Sequence, residues 1–166
     1  LREYLRNHKV SVDIVPPVLY AGEPISSTRI RHHLRQGDLA MVETLLGRPY
    51  SITGLVQPGE QRGRNIGFPT ANIDLAGLAL PPFGVYAAEV VGIGYGMANL
   101  GVRPSFPQSA PTLEVHIFDF ADDLYGQEIE VRLLTFIRSE TRFANLSELK
   151  QQLALDKETI LNRLSV

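Results

Sequence analysis

The segment from Arg62 to Asn72, RGRNIGFPTAN, combines residue types that suit phosphate binding. Glycines permit positive φ angles and a close approach of the backbone, so that free N–H groups can surround phosphate oxygens. The arginines add charge-assisted hydrogen-bond donors. The common phosphate-loop pattern GxxxxGK[ST] is absent. On composition alone, an ordinary long connection between two strands is the better interpretation of this segment.

Thr70 and Asn72 shift that balance towards a ligand site. In an extended segment, two residues that are two apart face the same side, so their side-chain oxygens would point together. Oxygen ligands of this kind suit Mg²⁺, which keeps several waters and relies on substrate phosphates for the remaining bonds. Threonine and asparagine oxygens discriminate poorly between metals, so Mn²⁺ or Zn²⁺ stays open.

Glu114 is a second candidate, in the strand-like run LEVHIFDF. Strand alternation places Glu114, His116 and Phe118 on one face. From the residues alone, Glu114 is more simply the polar member of a half-exposed strand. His116 could bond or pack near the site, but a structural histidine with satisfied hydrogen bonds is the better prediction.

The composition indicates an ordinary soluble protein. The chain has 166 residues, 44% hydrophobic and 20% charged, with a net charge of −2 and no cysteine. Disulfides and thiolate metal sites are therefore excluded, and no global charge favours nucleic acid or an anionic membrane. No apolar run approaches the roughly 20 residues that a membrane span needs, and no signal-peptide pattern is present. We expect a cytoplasmic protein with no membrane or nucleic-acid partner.

Residues 1–48 and 49–166 differ in character and predict two domains. The chain opens with Leu1 inside a helix-like run, LREYLRNHKV, which suggests that it begins within a longer polypeptide. A short strand is predicted in SVDIVPPVLYAG. Two helices follow, STRIRHHLRQ with Ser26 or Ser27 as its cap, and LAMVETLLG with Asp38 as its cap.

From Pro49 onward, short apolar runs alternate with connections rich in Gly, Pro and Asp. The predicted strands are YSITGLV, VYAAEVVGI, YGMANLGV, LEVHIFDF and IEVRLLTFI. Because no helical crossover lies between them, a closed antiparallel barrel is predicted, which also removes exposed sheet edges. Asn145 and Glu148 form a capping-box pattern before a C-terminal helix, LSELKQQLALDKETILNRL.

The motifs of residues 49–166 together resemble the riboflavin kinase family. GRNIGFPTAN carries its signature, and ANLGVRPSF, LEVHIFDF, DLYG and FIRSETRF follow in the same order and spacing. The stretch ISSTRIRHHLRQGDLAMVETLLGRPY is similar to the end of the FMN adenylyltransferase domain of the bacterial bifunctional riboflavin kinase/FAD synthetases. The resemblance implies a mainly β fold, a closed antiparallel Greek-key barrel with a C-terminal helix (49–166), preceded by a small helical remnant of an α/β nucleotidyltransferase domain (1–48).

The resemblance also implies an activity, transfer of the ATP γ-phosphate to the ribityl 5′-hydroxyl of riboflavin, which gives FMN and ADP. Glu114 matches the family's catalytic base, and Thr70 and Asn72 match its Mg²⁺–ATP ligands. Arg138 matches a flavin-side arginine. The remaining matches to its ATP-binding loop are Gly63, Arg64, Gly67 and Pro69.

Two departures from the family pattern leave roles open. Arg142 stands where lysine is common, and arginine differs from lysine in geometry, so a ligand role there is in doubt. Ser105 replaces a common threonine but keeps the hydroxyl.

Residues Ser26, Ser27, Thr28 and Arg29 match a motif that contacts ATP phosphates in the adenylyltransferase, and a helix N-terminus is a physically reasonable anion site. The His-x-Gly-His segment of that active site is absent from this chain. We therefore expect no FAD formation by these 166 residues, although the full-length parent would adenylylate FMN.

Two alternatives remain at this point. A flavin- or nucleotide-binding module without turnover fits the fold, although the combination of Glu114 with Thr70 and Asn72 argues against it. A helix-turn-helix DNA-binding protein would need polar contacts on its second helix, and LAMVETLLG is mostly apolar.

Overall fold

The computed structural model describes residues 13–59, 63, 67–75, 77–102 and 110–164. Within these ranges the strands are β1 (Leu19–Tyr20), β2 (Glu23–Pro24), β3 (Tyr50–Gln57), β4 (Ala71–Asp74), β5 (Gly84–Val90), β6 (Gly94–Gly101), β7 (Thr112–Ile117) and β8 (Glu128–Arg138). The helices are α1 (Ser27–Arg35), α2 (Leu39–Leu46) and α3 (Leu146–Leu164).

Strands β3 to β8 close an antiparallel barrel in the order β3–β4–β7–β6–β5–β8. Three consecutive strands, β5, β6 and β7, lie side by side, with β4 beside β7 and β8 beside β5. The group β8–β5–β6–β7 and the group β5–β6–β7–β4 each have the Greek-key order, so the predicted Greek-key barrel is confirmed.

Strand alternation divides the barrel into an inner and an outer face. On β4 and β7 the inward residues are Ala71, Ile73, Leu113 and Val115, all in the main hydrophobic core. Their neighbours in sequence, including Asn72 and Glu114, therefore face outward. Polar side chains on these two strands are thus presented on the outside of the barrel.

Helix α3 covers part of this outer face. Ile160 of the helix is fully buried in a second cluster with Val85, Ala87, Met97 and Phe118. The predicted capping box starts the helix, since Glu148 N–H donates to Asn145 Oδ1 at 3.0 Å and Ala144 N–H donates to Glu148 Oε2 at 3.0 Å. The helix packs on β6 and β8.

Helices α1 and α2 pack against the barrel as part of its core. Leu34, Leu39 and Val42 are buried in the same cluster as the inward barrel residues. Ser26 and Asp38 cap the two helices as predicted, through bonds from Arg29 N–H (3.2 Å) and Met41 N–H (3.1 Å). The packed faces of both helices are therefore directed at the barrel.

Two local predictions were incomplete. The strand predicted in residues 11–22 is limited, in the described part, to Leu19–Tyr20, which pairs with a second short strand at Glu23–Pro24. Strand β4 was not predicted as a barrel strand because it has only four residues, and only its inward side is apolar. The predicted helix in residues 1–10 lies outside the described residues.

Candidate functional site

Glu114 and Asn72 are directly opposite each other on adjacent strands. The β4–β7 pairing aligns Asn72 with Glu114, and the β6–β7 pairing aligns Glu114 with Asn99. Directly opposed residues in an antiparallel pair point to the same face, with Cβ atoms about 4.5–5.5 Å apart. Glu114 is thus flanked by two asparagines on the outer face, one on each neighbouring strand.

This row continues around the barrel to Arg138. Asn99 is aligned with Val85 on β5, and Val85 is aligned with Arg138 on β8. On the other side, Asn72 is aligned with Gln57 on β3. The structure therefore places three predicted site residues, Asn72, Glu114 and Arg138, in one cross-strand row.

Asn72 is enclosed although it lies on the outer face. It is only 4% exposed. Gly59 covers it so closely that a Cβ at this position would lie 2.2 Å from Asn72 Nδ2. Asn72 Nδ2 also lies 3.5 Å from the Thr70 carbonyl oxygen, a long hydrogen bond. Gly59 thus provides the space that the Asn72 amide needs, a requirement not recognised from the sequence.

His116 fixes the segment that leads into β4. Its Nδ1 donates a hydrogen bond of 2.8 Å to the Pro69 carbonyl oxygen, and its ring packs edge-on between Phe68 and Phe118. Burial lowers the pKa of His116, so the ring is neutral at pH 7 with its proton on Nδ1. The structural role predicted for this histidine is its observed role, next to Thr70.

The glycines of the predicted phosphate loop are needed for conformation and for space. Gly67 has φ +85°, in the region that favours glycine. The Gly63 carbonyl accepts from Phe68 N–H at 2.8 Å, and a Cβ on Gly63 would lie 2.1 Å from the Phe68 carbonyl oxygen. Arg64 and Ser105 lie outside the described residues.

A cavity of about 360 Å³ opens beside Thr70. It lies at the end of β3 and the start of β4, and the loop between β7 and β8 forms its other wall. Its size is that of a small-molecule pocket. The lining residues are Val56, Pro69, Thr70, Ala71, Val115, Ile117, Phe120, Ala121, Asp122, Asp123, Leu124 and Tyr125. Thr70 thus borders the cavity, whereas Asn72 and Glu114 lie beyond it on the outer face. The lining of this cavity was not predicted.

Arg138 is bound by the C-terminal helix. Its Nη2 donates to Asp156 Oδ2 at 2.7 Å and its Nε to Asp156 Oδ1 at 3.0 Å. Asp156 is 2% exposed and also accepts from Gln152 Nε2 at 2.9 Å. The guanidinium lies over the Phe143 ring, and Nη1 donates to the Ser139 carbonyl. Arg138 therefore joins the end of β8 to α3.

The four residues predicted as a remnant adenylyltransferase site lie at the start of α1. Ser26 is its cap, and Ser27 and Thr28 are exposed in its first turn. Arg29 Nη1 donates to the carbonyl oxygens of Tyr20 (3.0 Å) and Glu23 (3.1 Å). The structure places none of these four residues in the Asn72–Arg138 row.

The donor set fits a hard divalent cation that is shared with a phosphate. Thr70 and Asn72 offer a hydroxyl and an amide oxygen, and Glu114 lies opposite Asn72. Among the described residues, no group of three or more His, Asp or Glu could hold a metal alone. A metal at this site would therefore depend on a bound phosphate for further oxygen ligands.

The comparisons with known proteins identify the family. The family model for riboflavin kinase (flavokinase) matches residues 46–164. The chain belongs to the riboflavin kinase family. The sequence-based assignment of this chain to the riboflavin kinase family is thereby confirmed, and with it the expectation of an enzyme, from a family that generally uses ATP and a divalent metal.

The sequence similarity to curated relatives of this chain extends into the helices before the barrel. The bifunctional riboflavin kinase/FMN adenylyltransferase of Escherichia coli K12 is 49% identical over 142 residues, which are 83% of this chain and 45% of that protein. That of Bacillus subtilis is 40% identical over 164 residues, 95% of this chain and 52% of that protein. The chain spans about half the length of these curated relatives.

Two solved structures share the fold. A Streptococcus pneumoniae structure, described as a macrolide-efflux protein, aligns with a TM-score of 0.77 and 38% identity, over 96% of this chain and 54% of that chain. Riboflavin kinase from Trypanosoma brucei aligns with a TM-score of 0.50 and 25% identity, over 70% of this chain and 80% of that chain.

No helix in the described ranges is both long and apolar enough to cross a membrane.

Proposed function

We propose that this chain phosphorylates riboflavin on its ribityl 5′-hydroxyl, with Glu114 as general base and Thr70 and Asn72 as ligands of the metal–triphosphate. The observation that carries the proposal is the direct opposition of Asn72 and Glu114 on adjacent strands. This pairing places the Glu114 carboxylate, the proposed proton acceptor, beside Asn72, the proposed ligand of the metal and the phosphates. Phosphoryl transfer depends mainly on such positioning and on charge neutralisation.

In the proposed reaction, Glu114 takes up the proton that the acceptor hydroxyl loses. The Glu114 carboxylate accepts the proton of the ribityl hydroxyl as its oxygen forms a bond to the γ-phosphorus of ATP. The bond between that phosphorus and the β–γ bridging oxygen breaks, and ADP leaves. Asn72 holds its orientation because Gly59 and the Thr70 carbonyl enclose it.

Mg²⁺ is the metal that these oxygen donors favour, with Mn²⁺ or Zn²⁺ as alternatives. When bound, it neutralises the charge of the phosphates. Thr70 and Asn72 would hold it, and His116 would keep Thr70 in place through the Pro69 carbonyl. The ordering of Pro69–Asn72 is therefore the protein's own contribution to metal binding.

We place the nucleoside end of ATP in the cavity beside Thr70. Val115, Ile117, Phe120 and Leu124 supply an apolar lining for a heterocyclic base. Thr70 borders the cavity and precedes Asn72 by two residues, so a triphosphate that leaves the cavity at Thr70 reaches Asn72 next. Gly63, Arg64, Gly67 and Pro69 belong to the segment that would cover it.

Riboflavin would approach Glu114 from the opposite direction along the row, towards Arg138. Among the described residues, bonds to Asp156 and Ser139 use three of the five N–H groups of Arg138, which leaves two donors for a flavin. The bidentate bond to Asp156 would hold the guanidinium in one orientation for this contact.

The test is incubation of the protein with riboflavin, ATP and Mg²⁺, followed by chromatography for FMN and ADP in equal amounts. Equal production of both supports the proposal. Tight flavin binding without ADP release would instead support a binding module without turnover.

For the full-length protein we propose a second activity, adenylylation of FMN to FAD, because the relatives of this chain are bifunctional. In this chain Ser26, Ser27, Thr28 and Arg29 would be the remnant of that site. We expect no FAD from residues 1–166 with FMN and ATP, and FAD formation by them would contradict this expectation.

A further inference from the structure

We propose that Asn99 is a substrate-binding residue that contacts a hydroxyl of the riboflavin side chain and so helps to select a polyhydroxyl acceptor. This inference rests on the proposed kinase function and extends it to a residue with no role assigned above. It follows from the position of Asn99 on the barrel surface and from the state of its side-chain amide.

Asn99 is the neighbour of Glu114 on the side away from Asn72. The β6–β7 register pairs Asn99 directly with Glu114, as the β4–β7 register pairs Asn72 with Glu114. Both asparagines therefore share the outer face with the carboxylate. Asn72 lies on the side of the phosphate-loop segment, so Asn99 lies on the side from which an acceptor would come.

The two asparagines differ in what surrounds them. Asn72 is 4% exposed and has a backbone partner. Asn99 is only partly buried, and its side-chain amide makes no hydrogen bond to any other residue that the structure describes. A carboxamide offers two N–H donors and a carbonyl acceptor, which match the donor and acceptor capacity of a hydroxyl. Asn99 is thus free to bind a ligand, whereas Asn72 is already held in place.

The surroundings of Asn99 change from polar to apolar along the row. Glu114 lies on one side of Asn99, and on the other side Val85 belongs to the apolar cluster under α3. Along β6, Met97 belongs to the same cluster, whereas Gly101 lies beneath the Glu140 carboxylate. Asn99 therefore marks the boundary between a polar and an apolar surface. A molecule with an apolar ring system and a hydroxyl-bearing chain fits such a boundary, with the chain over Asn99 and its terminal hydroxyl at Glu114.

The experiment compares the wild type with Asn99→Ala on riboflavin and on its 2′-, 3′- and 4′-deoxy analogues. Loss of one hydrogen bond to a buried partner lowers kcat/KM about tenfold. We expect this loss for Asn99→Ala with riboflavin, and for the wild type with one deoxy analogue. With that same analogue Asn99→Ala should show no further loss, while the KM for ATP stays unchanged.

If Asn99→Ala lowers kcat/KM by the same factor with riboflavin and with every deoxy analogue, the proposal is overturned. Asn99 would then act on Glu114 or on the fold and not on a substrate hydroxyl. Asn99→Ser retains a donor and an acceptor and serves if the alanine variant does not fold. Thr53→Ala, at an exposed position on β3, is the matched control.

Riboflavin binding, followed by quenching of flavin fluorescence, gives a readout without turnover. Weaker binding of riboflavin, but not of the critical deoxy analogue, by Asn99→Ala supports the proposal. Equal affinities of wild type and variant for riboflavin contradict it. Absence of FMN formation by the wild type would refute the kinase function, and the binding titration would still decide the role of Asn99.

Discussion

Asn72 and Glu114 lie opposite each other across the β4–β7 pair, on the outer face of the barrel. This register brings together two side chains that are 42 residues apart in the sequence. Neither residue alone would indicate phosphoryl transfer. Their opposition is what makes the outer wall of the barrel, rather than its interior, the candidate reaction surface.

The metal-site assignment predicts a change in magnesium dependence. Asn72→Ala removes an oxygen donor that Gly59 and Thr70 hold in place. We expect the Mg²⁺ concentration for half-maximal activity to rise about tenfold or more, by analogy with the loss of groups that support metal ligands. Activity titrated with Mg²⁺ at constant ATP checks this, with Thr53→Ala as control. An unchanged midpoint in the alanine variant would refute Asn72 as a metal ligand.

His116 predicts a pH dependence of stability. Burial lowers the pKa of His116 below its ordinary 6.5. The unfolded chain therefore binds the proton more strongly, so this group's contribution is complete above about pH 6.5 and is lost as the pH falls towards the lowered pKa. Because a carboxamide does not titrate in this range, His116→Asn should show a smaller fall in unfolding free energy from about pH 7.5 to about pH 5.5.

Urea unfolding at several pH values measures this difference. His116→Asn retains an N–H group in the place of Nδ1 and so tests titration with the Pro69 bond conserved. Identical pH slopes for the wild type and the variant would show that His116 titrates alike in the folded and unfolded states.

The Arg138–Asp156 pair predicts a non-additive effect on stability. The Asp156 carboxylate is almost fully buried, with 3% of its side chain exposed, and Arg138 is 20% exposed. Removal of one partner leaves the other charge buried and unpaired, which lowers the unfolding free energy by about 3 kcal/mol or more. Replacement of both residues by apolar ones lowers it less. We expect Asp156→Leu with Arg138→Met to be more stable than either single variant. Additive losses in a urea-unfolding cycle would show that the pair is not coupled.

The packing of α1 and α2 against the barrel predicts that residues 26–48 stabilise the kinase domain. Leu34 of α1 is 1% exposed and lies in the barrel's main core cluster. Leu34→Ala should lower the unfolding free energy of the whole unit by about 2–5 kcal/mol, whereas the exposed neighbour Arg35→Ala should change it by about 0.5 kcal/mol or less. If Leu34→Ala melts the helices but leaves the barrel transition unchanged, the two parts are independent.

The sequence predicted those parts of the fold that depend on local signals. The caps Ser26, Asp38 and Asn145 depend on residue types within three positions, and alternation indicated which face of β7 carries Glu114. Strand β4 was missed because four residues give a weak periodic signal, although Ala71, Ile73 and Leu75 alternate with polar residues.

The remaining parts depend on contacts between distant segments. No local pattern predicts that Gly59 covers Asn72, that Asp156 binds Arg138, or that residues 120–125 form a cavity with Thr70. Strand register likewise cannot be read from one strand, so the pairing of Asn99 with Glu114 appears only when the barrel is closed.

The most direct measurement of the central claim is the rate of FMN formation by Glu114→Gln at saturating riboflavin, ATP and Mg²⁺. Glutamine keeps the shape of the side chain and cannot accept the proton. If Glu114 is the base, kcat falls by about 10²- to 10⁴-fold while thermal unfolding and ATP binding stay unchanged. A kcat equal to that of the wild type would contradict the account.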